Sequence, residues 1–78
     1  MLKDNIIKIL SEIRPEFEFS ENVNFIEQGM LDSFDIVSLV AELDSTFQIS
    51  IKGTEIIPEN FSSVAKIEDL LNKYGIKE

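Results

Sequence analysis

The chain is short, strongly acidic, and contains neither histidine nor cysteine. Its 78 residues include 15 acidic and 7 basic side chains, so the formal net charge is −8 at pH 7, which argues against a nucleic-acid partner and leaves room for only one small domain. Without His or Cys, the chain has no disulfide bond, no thiolate metal site and no histidine-activated nucleophile.

The first segment predicts an amphipathic helix of about three turns. Apolar residues recur there every three or four positions: Leu2, Ile6, Ile9, Leu10 and Ile13. Pro15 ends the pattern because it disfavours helix at the residue before it. Charged residues interrupt the segment, so it has neither a signal-peptide core nor a membrane-spanning stretch, and we expect a cytoplasmic protein that does not insert into membranes.

A long loop is expected from Pro15 to Leu31, attached to the core by Phe25, Ile26 and Leu31, with a turn at Gly29. From Pro15 to Ile51 the chain has eight acids and no Lys or Arg: Glu16, Glu18, Glu21, Glu27, Asp32, Asp35, Glu42 and Asp44. This base-free span is either a solvated face that maintains solubility or a surface for a partner.

The second helix is predicted to begin within GMLDSF, residues 29–34, with Asp32 or Ser33 as its N-cap. Behind the cap, apolar residues repeat at helical spacing: Ile36, Val37, Val40, Leu43 and Phe47. We expect core packing for all of these except Val37. Val37 and Phe34 are expected either at the edge of the core or in contact with a partner.

The remaining chain predicts two further helices and no sheet. FQISI at residues 47–51 alternates like a strand, but its only candidate partner is FEF at 17–19, so both are expected to be extended loop. Residues 54–57 allow one short helix before Pro58.

The final helix is predicted to follow Ser62 or Ser63 and to end at Gly75. Its apolar stripe consists of Val64, Ile67, Leu71 and Tyr74. The expected fold is therefore all-α: a small four-helix bundle with a long first loop and a short third helix, formed by one domain over residues 1–78.

Ser33 is the candidate functional residue, yet the sequence around it offers no enzyme chemistry. A nucleophilic serine needs a nearby base, and the surrounding span has neither His nor Lys. The run DSFDIVSLVAELD lacks the glycine and ligand spacing of a calcium loop, so weak cation binding is the most it could support. Asp32 and Asp35 could exchange protons, but nothing indicates a substrate pocket beside them. Taken alone, Ser33 is typical of an ordinary helix cap.

Three longer segments of the sequence carry a resemblance to a known protein family. They are NFIEQGMLDSF at residues 24–34, VSLVAELDSTFQISI at 37–51, and IIPENFSSVAKIEDLL at 56–71. In this order and spacing, the sequence resembles the acyl carrier protein and peptidyl carrier protein family over essentially its full length.

The resemblance implies that Ser33 receives a 4'-phosphopantetheine group from coenzyme A through a phosphodiester, and that this arm supplies the thiol the chain lacks. It also implies that the chain is a substrate of other enzymes and not an enzyme. As a monomeric carrier, it would hold acyl or aminoacyl groups as thioesters. Its implied partners are a phosphopantetheinyl transferase, an acyl- or aminoacyl-loading ligase, and downstream acyltransferases or synthases.

The family's partner-recognition surface maps residue by residue onto the start and outer face of the second helix. The matching positions are Asp32, Phe34, Asp35, Val37, Ser38, Ala41, Glu42 and Asp44. Phe34 replaces a more usual leucine, and Ser38 and Ser45 stand where fatty-acid carriers often have acids. These departures favour a specialised carrier of the polyketide, nonribosomal-peptide or D-alanyl type. The alternatives are a housekeeping fatty-acid carrier or an unmodified acidic helical adaptor.

Overall fold

The computed structural model describes residues 2–21 and 23–77, and within these ranges the fold is all-helical, without strands. Its α-helices are α1 (Leu2–Ile13), α2 (Ser33–Phe47) and α3 (Val64–Lys73). Helix α1 packs against both α2 and α3, and together they enclose the core. No helix in the described ranges is both long and apolar enough to cross a membrane.

The helix boundaries confirm the start and stop signals in the sequence. Helix α2 has Asp32 as its N-cap, and Ser63 caps α3 by accepting a hydrogen bond from the N–H of Lys66 at 3.2 Å. Gly75 follows α3 with a φ of +85°, in the left-handed region that glycine enters without steric cost.

The predicted helix count is not confirmed. In place of a short third α-helix, the segment between α2 and α3 forms two single-turn 3₁₀ helices, Gly53–Glu55 and Pro58–Phe61. Pro58 has no N–H to continue a helix from the first turn into the second, and the β-branched residues between them are poor helix formers. Asn60 instead joins the two turns, since its Nδ2 donates to the carbonyl oxygen of Glu55 at 2.7 Å.

The core confirms most of the packing that was expected for the apolar positions of α2. Ile36, Val40 and Leu43 are buried, as expected, and Leu39 is fully buried beside them. Val37, which the sequence pattern included among these positions, is 63% exposed on another face of the helix. The buried stripe therefore follows the regular spacing of positions 36, 39, 40 and 43.

The long first loop is fixed to the core as predicted. Phe25 is fully buried, Leu31 is nearly so, and Gly29 turns the chain with a φ of +67°. The N–H of Phe25 also donates to the carbonyl oxygen of Ser62 at 2.6 Å, which ties the loop to the N-terminal side of α3. FEF and residues 49–51 are loop, as predicted, and their apolar side chains pack on the core. The first two residues of FQISI differ from the prediction, because Phe47 is the last residue of α2 and Gln48 is its left-handed C-cap.

Candidate functional site

Ser33 is the first residue of α2, and its side chain is exposed. The N–H groups of Asp35 and Ile36 donate to Oδ1 and the carbonyl oxygen of Asp32, at 2.9 and 3.0 Å. The N–H groups of Ser33 and Phe34 meet no acceptor among the described residues. Free amides at the positive end of a helix suit an anionic group, so this position fits a phosphodiester on the Ser33 hydroxyl.

Two carboxylates hold the backbone around Ser33 in place. Asp32 and Asp35 form a reciprocal capping box, in which Oδ1 of Asp32 accepts from the N–H of Asp35 and Oδ2 of Asp35 accepts from the N–H of Asp32 at 3.1 Å. Ser33 lies between the two capping residues. Its position is therefore set by hydrogen bonds that leave its own hydroxyl free.

Arg14, directly after α1, binds both capping carboxylates. Its Nε lies 2.8 Å from Oδ2 of Asp35, its Nη2 lies 3.4 Å from Oδ2 of Asp32, and its Nη1 lies 3.0 Å from Oε2 of Glu16. Arg14 was not among the predicted site residues, all of which lie inside the base-free span. The available signal was that Arg14 is the last base before that span.

Asp35, one of the predicted recognition residues, does not present a free surface charge. Its side chain is only 13% exposed. Burial by itself would raise the pKa of the carboxyl, but the hydrogen bond from the Asp32 backbone and the bond from Arg14 hold that pKa below its ordinary value. The same pairing raises the pKa of Arg14. The ion pair is therefore charged at neutral pH.

The other predicted recognition residues divide into exposed and bonded positions. Phe34 is 83% exposed, and Ser38, Ala41 and Glu42 are also exposed on α2. Asp44 differs, because it is half-buried and its Oδ1 accepts a hydrogen bond from the N–H of Ile51 at 3.0 Å. The accessible part of the predicted surface thus combines the apolar side chains of Phe34 and Val37 with the acids Asp32 and Glu42.

An open cleft of about 220 Å³ begins at Ser33. Its lining residues come from α2 and the 3₁₀ segment: Ser33, Ile36, Val37, Ile56 and Pro58. Except for the serine, all of these side chains are apolar. The cleft can therefore accept the less polar part of a group that is attached to the hydroxyl. No set of three or more potential metal-ligating side chains is found within the described ranges.

Comparisons with known proteins agree with this geometry. A family model described as phosphopantetheine attachment site matches residues 2–71. A D-alanyl carrier protein of Lactococcus lactis subsp. cremoris is 32% identical over 68 residues, covering 85% of this chain and 86% of the relative. One from Leuconostoc mesenteroides is 34% identical over 76 residues, covering 90% and 96%.

A third D-alanyl carrier protein, from Bacillus velezensis, is 27% identical over 73 residues and covers 91% of this chain and 94% of its own length. No solved structure shows a significant match. The family model extends over nearly the whole chain and includes the exposed serine at the start of α2. The chain is therefore a carrier protein of the phosphopantetheine attachment family.

Proposed function

We propose that Ser33 bears the 4'-phosphopantetheine arm and that the loaded protein carries D-alanine. The observation that supports this cargo is the similarity to D-alanyl carrier proteins over most of both chains. The observation that supports the attachment residue is an exposed hydroxyl at the first position of α2, within the span of the family match. When bound, the arm supplies the thiol on which the cargo is held as a thioester.

The residues of the chain have simple tasks in this function. Asp32 and Asp35 hold the first turn of α2 in one geometry, so a transferase meets the Ser33 hydroxyl in a fixed place. The unbonded N–H groups of Ser33 and Phe34 offset the negative charge of a phosphodiester at that hydroxyl. The chain supplies no base for the transfer, so it acts as a substrate of the enzyme that modifies it.

The cleft beside Ser33 supports a small cargo. Its volume of about 220 Å³ is below that of the pockets of roughly 300–1,000 Å³ that enclose drug-sized ligands. An aminoacyl group has much less apolar surface to bury than a long acyl chain. Ser38 and Ser45 support the same conclusion, since fatty-acid carriers often have acids at these positions. A specialised carrier is favoured over a housekeeping fatty-acid carrier for both reasons.

The attachment is tested by intact-mass measurement after incubation with coenzyme A and a promiscuous phosphopantetheinyl transferase. We expect the wild-type chain to gain one phosphopantetheine and Ser33→Ala to gain none. Ser45→Ala is the matched control, because it removes another exposed hydroxyl from the same helix, outside the predicted recognition residues, and should be modified like the wild type. An unmodified wild type would favour the helical adaptor, and modification of Ser33→Ala would place the arm on another residue.

The cargo is tested by offering the modified protein to a D-alanine-activating ligase with ATP, in parallel with a fatty-acid-activating ligase. We expect the D-alanine ligase to load the protein. Hydroxylamine should then release the D-alanyl group, because it cleaves thioesters. Loading by the fatty-acid ligase alone would identify a fatty-acid carrier instead.

Three further expectations remain predictions of the sequence: a cytoplasmic location, a monomeric state, and a single domain over residues 1–78.

A further inference from the structure

We propose that Arg14 is a positioning residue for the modification of Ser33, because it holds the two carboxylates that shape the first turn of α2. This inference rests on the proposed attachment at Ser33. Arg14 directly follows α1 and lies 21 positions before Asp35 in the chain. It therefore fixes the start of α2 against a different helix, which the capping box cannot do alone.

The geometry of the contact requires a guanidinium group. Nε binds Asp35, Nη2 binds Asp32 and Nη1 binds Glu16, so three nitrogens of one planar group contact three separate carboxylates. A lysine ammonium is a point charge on a flexible stem and cannot reproduce this arrangement. The side chain of Asp35 is only 13% exposed, so solvent and salt screen its bond to Arg14 less than they screen a surface pair.

Loss of Arg14 would leave two neighbouring carboxylates without their counter-charge. Asp32 and Asp35 would then repel each other, and the capping box between them would open in part of the population. Ser33 would lose its fixed position in those molecules. A transferase that recognises the formed first turn would bind only the competent fraction, so the KM for the carrier would rise while kcat at saturation would be preserved.

The test compares kcat and KM of the full chain as substrate of a phosphopantetheinyl transferase, with coenzyme A saturating. We expect Arg14→Gln to raise the KM for the carrier about two- to fivefold, the range given by a partly exposed ion pair. Lys8→Gln is the matched control, because it removes the same charge from an exposed position of α1. Lys8 shares a groove with Thr46, near the other end of α2, and this variant should behave like the wild type.

Arg14→Lys separates position from charge. If Arg14 acts by positioning, the lysine variant should recover less than half of the lost catalytic efficiency, since it keeps the charge but not the planar group. Full recovery by lysine would assign the effect to net charge alone and overturn the proposal. Equal KM values for Arg14→Gln and Lys8→Gln would overturn it as well.

Two further measurements show whether Arg14 acts through the capping box. Asp35→Asn combined with Arg14→Gln should raise KM by less than the product of the two single effects, because both variants break the same contact. Hydrogen exchange of the Asp35 and Ile36 amides should accelerate in Arg14→Gln. Unchanged exchange together with a raised KM would mean that Arg14 contacts the transferase directly, which contradicts the proposal.

The exchange measurement also keeps the two proposals apart. It needs no transferase, so it tests Arg14 even if the wild type proves to be unmodified and the attachment at Ser33 fails. Conversely, modification of the wild type but not of Ser33→Ala, with all Arg14 readouts unchanged, would confirm the attachment and reject the positioning role.

Discussion

Nε of Arg14 donates to Oδ2 of Asp35 at 2.8 Å, and this bond connects the end of α1 to the start of α2. The long first loop lies between the two residues in the chain. The same Asp35 oxygen accepts from the N–H of Asp32, so one buried carboxylate serves both the tertiary contact and the helix cap. Stability and the placement of Ser33 therefore depend on a common group.

The depressed pKa of Asp35 predicts a pH dependence of stability. The ordinary value is 3.8 and the folded value lies below it, so between the two pKa values the unfolded chain binds more protons than the folded one. The contribution of Asp35 is fully present above the ordinary value and is lost as pH falls through the folded pKa. We expect the difference in Tm between wild type and Asp35→Asn to shrink as pH falls below 3.8.

Thermal unfolding of both proteins from neutral pH to about pH 2 would show this convergence. Glu42→Gln controls for net charge, since it removes one acid from an exposed position of the same helix. A constant Tm difference between wild type and Asp35→Asn over the whole range would contradict the assignment.

The direction of α2 is tested by a pair of core and surface substitutions. Leu39 is fully buried, so Leu39→Ala should lower the free energy of unfolding by about 2–5 kcal/mol. Val37 is 63% exposed, so Val37→Ala should change it by less than about 0.5 kcal/mol. Urea titrations of the two variants measure both values. A larger loss for Val37→Ala would mean that the helix presents the other face to the core.

Phe34 should affect recognition without affecting stability. Its ring is 83% exposed next to Ser33, so Phe34→Ala removes an apolar contact for a partner while it leaves the core intact. We expect the kcat/KM of modification to fall about five- to thirtyfold, corresponding to roughly 1–2 kcal/mol, with little dependence on salt. An unchanged rate would mean that the Phe34 ring does not contact the transferase in this reaction.

Electrostatic steering is better tested at Glu42 than at Asp35. Asp35→Lys would place a base against Arg14 and disturb the cap, whereas Glu42 is exposed. If transferases approach with a basic surface, Glu42→Lys should slow association, and the deficit should diminish as salt rises. Modification rates across a salt series measure this. If the modification rate of Glu42→Lys is reduced by the same factor at every salt concentration, steering is rejected and the acidic span has a role only in solubility.

The end of α2 offers a stabilising substitution. Gln48 adopts a φ of +54°, in the left-handed region where a side chain is strained, while its N–H donates to the carbonyl oxygen of Asp44. Gln48→Gly should raise the free energy of unfolding by about 0.5–1 kcal/mol, since glycine adopts this conformation without a steric penalty. Denaturant midpoints measure the gain. A lower midpoint would show that the Gln48 side chain contributes packing that outweighs the strain.

Local signals predicted the helices and the position of Ser33. The spacing of apolar residues, the capping residues before α2 and α3, and the break at Pro15 each act over a few residues, so they can be read directly from the sequence. The exposed serine at the first position of α2 follows from the same signals. The sequence left open whether Val37 lies at the edge of the core or on the surface. Ile36 and Val37 are neighbours in the chain but lie about 100° apart around the helix.

The polar contacts between distant parts of the chain were not predicted. Arg14 reaches Asp32 and Asp35 only when α1 packs against α2, and nothing in the local sequence pairs them. The ion pairs of the base-free span were not predicted either. At least four of its acids have ion-pair partners from outside the span: Glu16, Asp32 and Asp35 with Arg14, and Glu21 with Lys3.

The side chains exposed around Ser33 also bear on how long a complex lasts. Phe34 and Val37 offer contact area but no hydrogen bonds, while Oδ1 of Asp32 and Oδ2 of Asp35 already accept from backbone N–H groups of the chain itself. An apolar contact of this kind makes few demands on direction, so enzymes of different shape can use the same small face in turn. Few anchoring bonds also mean rapid dissociation, which suits a protein that must leave one enzyme before it can serve the next.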